Sequence, residues 1–202
     1  MEWIAQHGET ISAITGVGTL IVWIIYLQVF VTSYRRQLRA TMLITRGPGL
    51  GLEARCFLSN MSSGPIYVAT IQVELEYAEG SVVCPVTDVV DLDAAGGQQS
   101  QTRQGPLRDG ETRDIGSFEQ LLRHSGEAPA AAPHLALGEL RSITVEVVGL
   151  YGSEDLPIGA RRCFLLLAQD GNMVVRGSEL RTRQIRSAAG RRRLLGDLER
   201  DQ

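Results

Sequence analysis

The chain has no lysine: all twenty of its basic residues are arginines. With 22 glycines beside them, this bias reads as GC-rich coding rather than as arginine chemistry. Cysteine is also scarce. Cys56, Cys84 and Cys163 are an odd set, and no two of them form a CxxC pair. That excludes a zinc ribbon or a thioredoxin-type motif and fits a reducing compartment. His7, His124 and His134 stand in neither HxxxH nor HExxH spacing, so a helical metal site has no ligand pair. The glycine run RGPGLG at 46–51 lacks the Lys and Ser/Thr of a phosphate cradle and reads as a turn.

The most informative absence is of charge. From Thr10 to Tyr34 no side chain is charged. At helical rise this run reaches roughly 37 Å, enough to cross a hydrocarbon layer of about 30 Å. Trp3 and Tyr34 bracket it at the headgroup levels. A cleavable signal needs a basic start, whereas residues 1–9 offer only Glu2, Glu9 and His7. Arg35, Arg36, Arg39 and Arg46 follow the run and no arginine precedes it. The positive-inside rule therefore predicts an N-terminus outside and the remainder in the cytoplasm. Within the span, Ser12 and Gly16, with Gly18 near them, have the small-residue spacing that lets two helices approach and could support a homo-oligomer.

Charge is unevenly spread. Residues 1–46 carry four arginines and two acids, residues 47–176 nine and seventeen, and residues 177–202 seven and four. An acidic body thus lies between basic flanks. The expected organisation is a short outer N-terminus (1–9), a transmembrane helix (10–34), a basic arm leading into the first strand (35–46), a β domain (47–176) and an Arg-rich tail (177–202).

After Arg46 the period becomes two. In 67–77, Tyr67, Ala69, Ile71, Val73, Leu75 and Tyr77 alternate with mostly polar residues, as a strand with one buried face requires. Similar runs at 41–45, 52–59, 81–87, 141–150, 160–168 and 172–176 predict further strands, with Asp170-Gly171 as a hairpin turn. Asn60-Met61-Ser62 matches a glycosylation acceptor, but Asn60 through Pro65 is also a turn cluster. Ser117 and Gln120 have capping-box spacing and predict one short helix, running to about His124. The stretches 94–106 and 126–134 read as loops. Many short strands and no repeated crossover helices predict an antiparallel β-sandwich, immunoglobulin-like, behind the membrane helix.

The strings VWIIYLQVF, RRQLRATMLITRGPG and ARCFLSNMSSGPIYV, with a weaker echo in DIGSF at 114–118, resemble a group of uncharacterised bacterial membrane proteins with one N-terminal span and a β-rich soluble part. The similarity covers roughly residues 20–75. It implies the same architecture, and it brings no activity and no catalytic or binding residue with it.

The residues themselves offer few candidates for chemistry. Cys56 and Cys163 sit on strand faces, where free cysteine behaves as a small core residue. Arg55 and Arg162 precede them but point to the opposite faces. Asp88, Asp91 and Asp93 form an acidic cluster without EF-hand spacing. The tail ends in Arg191-Arg192-Arg193. Two readings of it stand level, a solvated tail and contact with anionic lipid. Nucleic acid is disfavoured, since the tail lacks aromatics for stacking. No cofactor or metal is expected. Two functions remain: a membrane-anchored interaction module with the bilayer and a protein as partners, or a tethered enzyme assembled from Cys56, His124 and the Asp88–Asp93 loop.

Overall fold

The computed structural model describes residues 8–37, 39–86, 103–127, 140–152, 154–169 and 172–200. The expectations for Trp3, His7, Asp88, Asp91, Asp93, His134 and the Asp170-Gly171 turn fall outside those residues. The chain divides into two units, one ending at Arg39 and the other beginning at Ala40.

The first unit contains helix α1 (Gly8–Gln37). Within it Ser12–Tyr34, 23 residues with a mean hydropathy of 2.1, is long and apolar enough to cross a membrane. Its large side chains, from Ile14 to Tyr34, are exposed on every side. The hydroxyls of Thr19 and Thr32 donate back to the carbonyls of Thr15 and Gln28, at 2.8 and 2.7 Å. Their polarity is thereby satisfied inside the helix, as a lipid environment demands.

The second unit is mainly β, and every strand pairing in it is antiparallel. One sheet has the order β1 (Met42–Arg46), β2 (Arg55–Asn60), β6 (Thr112–Ser117). The other runs β10 (Arg183–Ile185), β8 (Ile158–Gln169), β7 (Leu140–Tyr151), β3 (Ile66–Tyr77), β4 (Ser81–Pro85). Two short strands extend it, β5 (Gly105–Leu107) on β3 and β9 (Asn172–Gly177) on β8. Gln169 faces Asn172 across β8 and β9, the register a two-residue hairpin requires.

Alternation explains the core. Ile71, Val73, Ile143, Val145, Ala160 and Phe164 of the larger sheet share one buried cluster with Met42, Ile44, Cys56 and Leu58 of the smaller. Helix α2 (Phe118–Glu127) follows β6 directly and inserts Phe118, whose ring meets Phe164 edge-on at 4.8 Å. The capping box forms as the spacing predicts. Gln120 N–H donates to Ser117 Oγ at 3.1 Å, and Ser117 N–H donates to Gln120 Oε1 at 2.9 Å. The turn into this helix needs Gly116, which has φ 105°. A Cβ there would lie 2.9 Å from a guanidinium nitrogen of the buried Arg103.

The structure corrects one detail of the β3 pattern. Pairing with β7 slips between Val68 and Thr70, so one residue is extra and the faces swap there. Val68 is buried and Tyr67 is 49% exposed, the reverse of strict alternation. The 60–65 turn is confirmed as a turn, and Asn60 organises it. Its side chain is fully buried, donating to the carbonyls of Gly64 and Leu107 at 2.9 and 3.0 Å and accepting from Ser62 N–H at 2.9 Å. An amide so enclosed is closed to glycan attachment in the folded chain.

The C-terminal stretch differs most from expectation. It is not a solvated tail. Residues 183–185 add β10 to β8, and residues 188–200 form α3 (Ala188–Arg200). Leu194 of α3 is fully buried. It lies over Gly159, where a Cβ would come within 2.6 Å of Leu194 Cδ1. The same stretch reaches the other sheet with its side chains. Gln184 Oε1 accepts from Met42 N–H at 3.1 Å while its Nε2 donates to the Met42 carbonyl. Thr182 Oγ1 accepts from Ile44 N–H at 2.9 Å and donates to the Ile44 carbonyl at 3.1 Å. An open edge strand is a template for aggregation. Here β1, an edge, is sealed by side chains acting as a strand would, and one segment laces both sheets together.

Candidate functional site

Of the predicted catalytic groups, the Asp88–Asp93 loop lies outside the described residues, and Cys56 and His124 stand in different surroundings. Cys56 is fully buried on β2, and desolvation pushes its thiol up to about 12, against the pull of Arg162. A thiol held protonated is a poor nucleophile. The charges acting on it are those of Arg162, Asp114 and Arg103, and His124 is not among them. His124 Nδ1 lies 2.6 Å from the Gln120 carbonyl within its own helix. Arg162 and Cys163 do separate as strand geometry requires. Arg162 reaches the Ile44 carbonyl of the facing sheet and lies 5.4 Å from the Phe164 ring centre, while Cys163 pairs across to Thr144.

The glycine loop after β1 has filled its own cradle. Gly51 N–H donates to Glu53 Oε1 at 3.0 Å. Backbone donors, Gly51 first, hold the Glu53 carboxyl below its ordinary value. An internal carboxylate therefore occupies the donors that a phosphate would need. Arg46 closes the same loop by bonding the Gly49 carbonyl, so it belongs to the body rather than to a free arm. Arg39 is exposed. Arg35 and Arg36 lie in the last turns of α1. In the span, Ser12 is exposed, and Gly16 and Gly18 have open space where a Cβ would stand.

What the fold does assemble is a polar groove on the outer face of the larger sheet, walled on one side by α3. Residues two apart on a strand share a face. β3 thus presents Gln72 and Glu74, β7 Thr144 and Glu146, β8 Arg161, and α3 Arg193 and Asp197, around a cavity of about 450 Å³. Arg161 Nη2 donates to Glu74 Oε2 at 2.6 Å and Nη1 lies 4.0 Å from Glu146. Arg193 Nη2 donates to both Glu146 oxygens at 2.8 and 3.0 Å, and its Nε lies 3.9 Å from Asp197. Glu146, only 9% exposed, is the most enclosed charge and the one to which both arginines point. Exposed ion pairs contribute about 0–1 kcal/mol; a more buried one is costlier to break from one side.

These groups can hold a partner by hydrogen bonds and charge. Among the described residues, no three His, Cys, Asp or Glu gather to hold a metal ion. Of the tail triad, Arg191 is bound to Glu154 at 3.1 Å and to the Pro157 and Leu156 carbonyls, each at 2.9 Å. With Arg193 on Glu146, only Arg192 of the three forms no ion pair among the described residues. The groove was not legible in the sequence. Its signal was the polar half of each alternation, which becomes a site only once register is known.

Comparison with protein-family models, with curated proteins and with solved structures gives no match.

Proposed function

We propose that this chain is a membrane-anchored, non-enzymatic interaction module. α1 holds it in a bacterial inner membrane as a single pass, and the β body lies on the cytoplasmic side. The observation that carries the reading is the conjunction of two features. Ser12–Tyr34 is apolar and exposed all round, which only lipid or another helix can accommodate. The body's titratable groups are spent on one another instead of being poised for reaction. Arg35, Arg36 and Arg39 after the span support the orientation. The shared core of two antiparallel sheets supports a sandwich, with the immunoglobulin-like type as its finer form. Ser12 and Gly16 are the contact points for self-association in the bilayer. The groove around Glu146 is the surface for a protein partner.

Two measurements test this. Leu180, 90% exposed, is replaced by cysteine in a Cys163→Ser background. A membrane-impermeant thiol reagent then leaves it unlabelled in intact spheroplasts and labels it after lysis; labelling before lysis refutes the orientation. Intact mass of the membrane-bound chain tells an anchor from a cleaved signal. For the groove, Val83 is 52% exposed and lines it. Val83→Arg removes from a mild-detergent capture the partner that the unchanged chain retains. The same partners with both chains would end the assignment to the groove.

A further inference from the structure

One end of the β body differs from the rest in charge and in what leads into it. The turn at 61–65, the turn at 108–110, the connection 152–157 and the step from β10 into α3 lie at the end where β1 begins. The pairings Met42 with Asn60, Ile66 with both Tyr151 and Leu107, and Ile185 with Gly159 fix this. Met61 N–H donates to the Thr41 carbonyl at 2.9 Å, and Arg186 Nη2 lies 3.4 Å from Thr41 Oγ1. Only residues 38–41 separate the last residue of α1 from β1. In sequence this end is therefore the part of the body next to α1, whose apolar stretch is long enough to meet a membrane surface.

Its chemistry suits that surface. Arg108, Arg186 and Arg192 are exposed there, and none forms an ion pair among the described residues. Asp109 and Asp155 are the exposed acids at the same end. Glu154 is neutralised by Arg191, and Glu111 faces Arg113 at 3.8 Å. This end therefore has a surplus of positive charge on a body whose residues 47–176 carry seventeen acids against nine arginines. At its tip stands Met61, an apolar side chain 62% exposed.

We infer that this end is a docking face for anionic lipid headgroups, with Arg108, Arg186 and Arg192 meeting phosphate and Met61 entering the headgroup layer. The inference rests on the membrane reading above and adds a preferred pose of the body on the leaflet. Of the triad Arg191, Arg192 and Arg193 it keeps only Arg192 as a lipid contact, since the other two are engaged with Glu154 and Glu146.

The test uses the full chain reconstituted in vesicles of phosphatidylcholine alone or mixed with phosphatidylglycerol. A polarity-sensitive dye is attached to Met61→Cys, or to Leu50→Cys as control, in a Cys163→Ser background. Leu50, 67% exposed, lies in the loop beyond the other end of β1. With anionic lipid the Met61 label shifts to the blue and high salt reverses the shift, while the Leu50 label stays unchanged. Arg108→Glu with Arg186→Glu abolishes the shift, each unit of charge lowering the docked fraction about fivefold. Circular dichroism confirms that the variants remain folded. A Met61 label indifferent to lipid charge, or moving together with the Leu50 label, overturns the docking face. A chain extracted from vesicles by alkaline carbonate overturns the membrane reading itself, and the docking face with it.

Discussion

Thr182→Val separates the sealing of β1 from ordinary packing, because valine keeps the shape and removes the hydroxyl. The change leaves Ile44 N–H, buried and bonded to Thr182 Oγ1 at 2.9 Å, without an acceptor. The Ile44 carbonyl also loses the 3.1 Å bond from Thr182 but keeps its bond from Arg162. Orphaning one buried donor costs about 1–3 kcal/mol. Taking about 2 kcal/mol for a body of this size, the melting temperature falls by roughly 4–8 °C. The assay is urea and thermal unfolding of the full chain in mild detergent, followed by far-ultraviolet circular dichroism. Tryptophan fluorescence would not serve, since both tryptophans, Trp3 and Trp23, precede the body. Amide exchange supplies the local readout: Ile44 N–H exchanges faster in the variant, while core amides of β7 change only by the global loss. A variant as stable as the parent, with Ile44 still protected, would refute the claim that Thr182 stands in for a strand.

Three further outcomes follow from the same structure. Leu194→Ala costs about 2–5 kcal/mol and frees α3, so limited proteolysis trims the chain near residue 188 before the body is cut. Ser117→Ala removes one half of the capping box and costs about 1 kcal/mol, read by denaturant midpoint at unchanged slope. Cys56 stays unmodified by thiol reagents in the folded chain while Cys163 reacts. Because burial lifts the Cys56 thiol from 9.0 to about 12, the unfolded chain loses this proton first as pH rises. Stability therefore falls with increasing pH across that interval and is fully present below it, as titrated unfolding midpoints will show.

The long strands were legible because each repeats apolar residues at period two and is bounded by turn residues; β3 and β7 are the clearest. The helix at 118 was legible from Ser117 and Gln120 alone, since both partners lie within three residues. The bulge at Ala69 was not, because it exists only relative to β7. Strand β6 reads TRDIGS, with no apolar alternation to announce it. β5 and β10 are three residues each, below any periodic signal. The C-terminal helix was hidden by its arginines, which taken alone suggest a solvated tail. Their partners Glu154 and Glu146 are 37 and 47 residues away. The groove failed to show for the same reason: Glu74 and Arg161 are 87 residues apart, and no local pattern links them.

The lacing of both sheets by residues 182–185 sets an order on synthesis. The first strand of the body leaves the ribosome 138 to 142 residues before the side chains that close its edge. Until residues 182–184 emerge, the nascent chain carries an unsheltered edge. A product that stops before Thr182 lacks the groups that cover β1 and keeps that edge open to pairing.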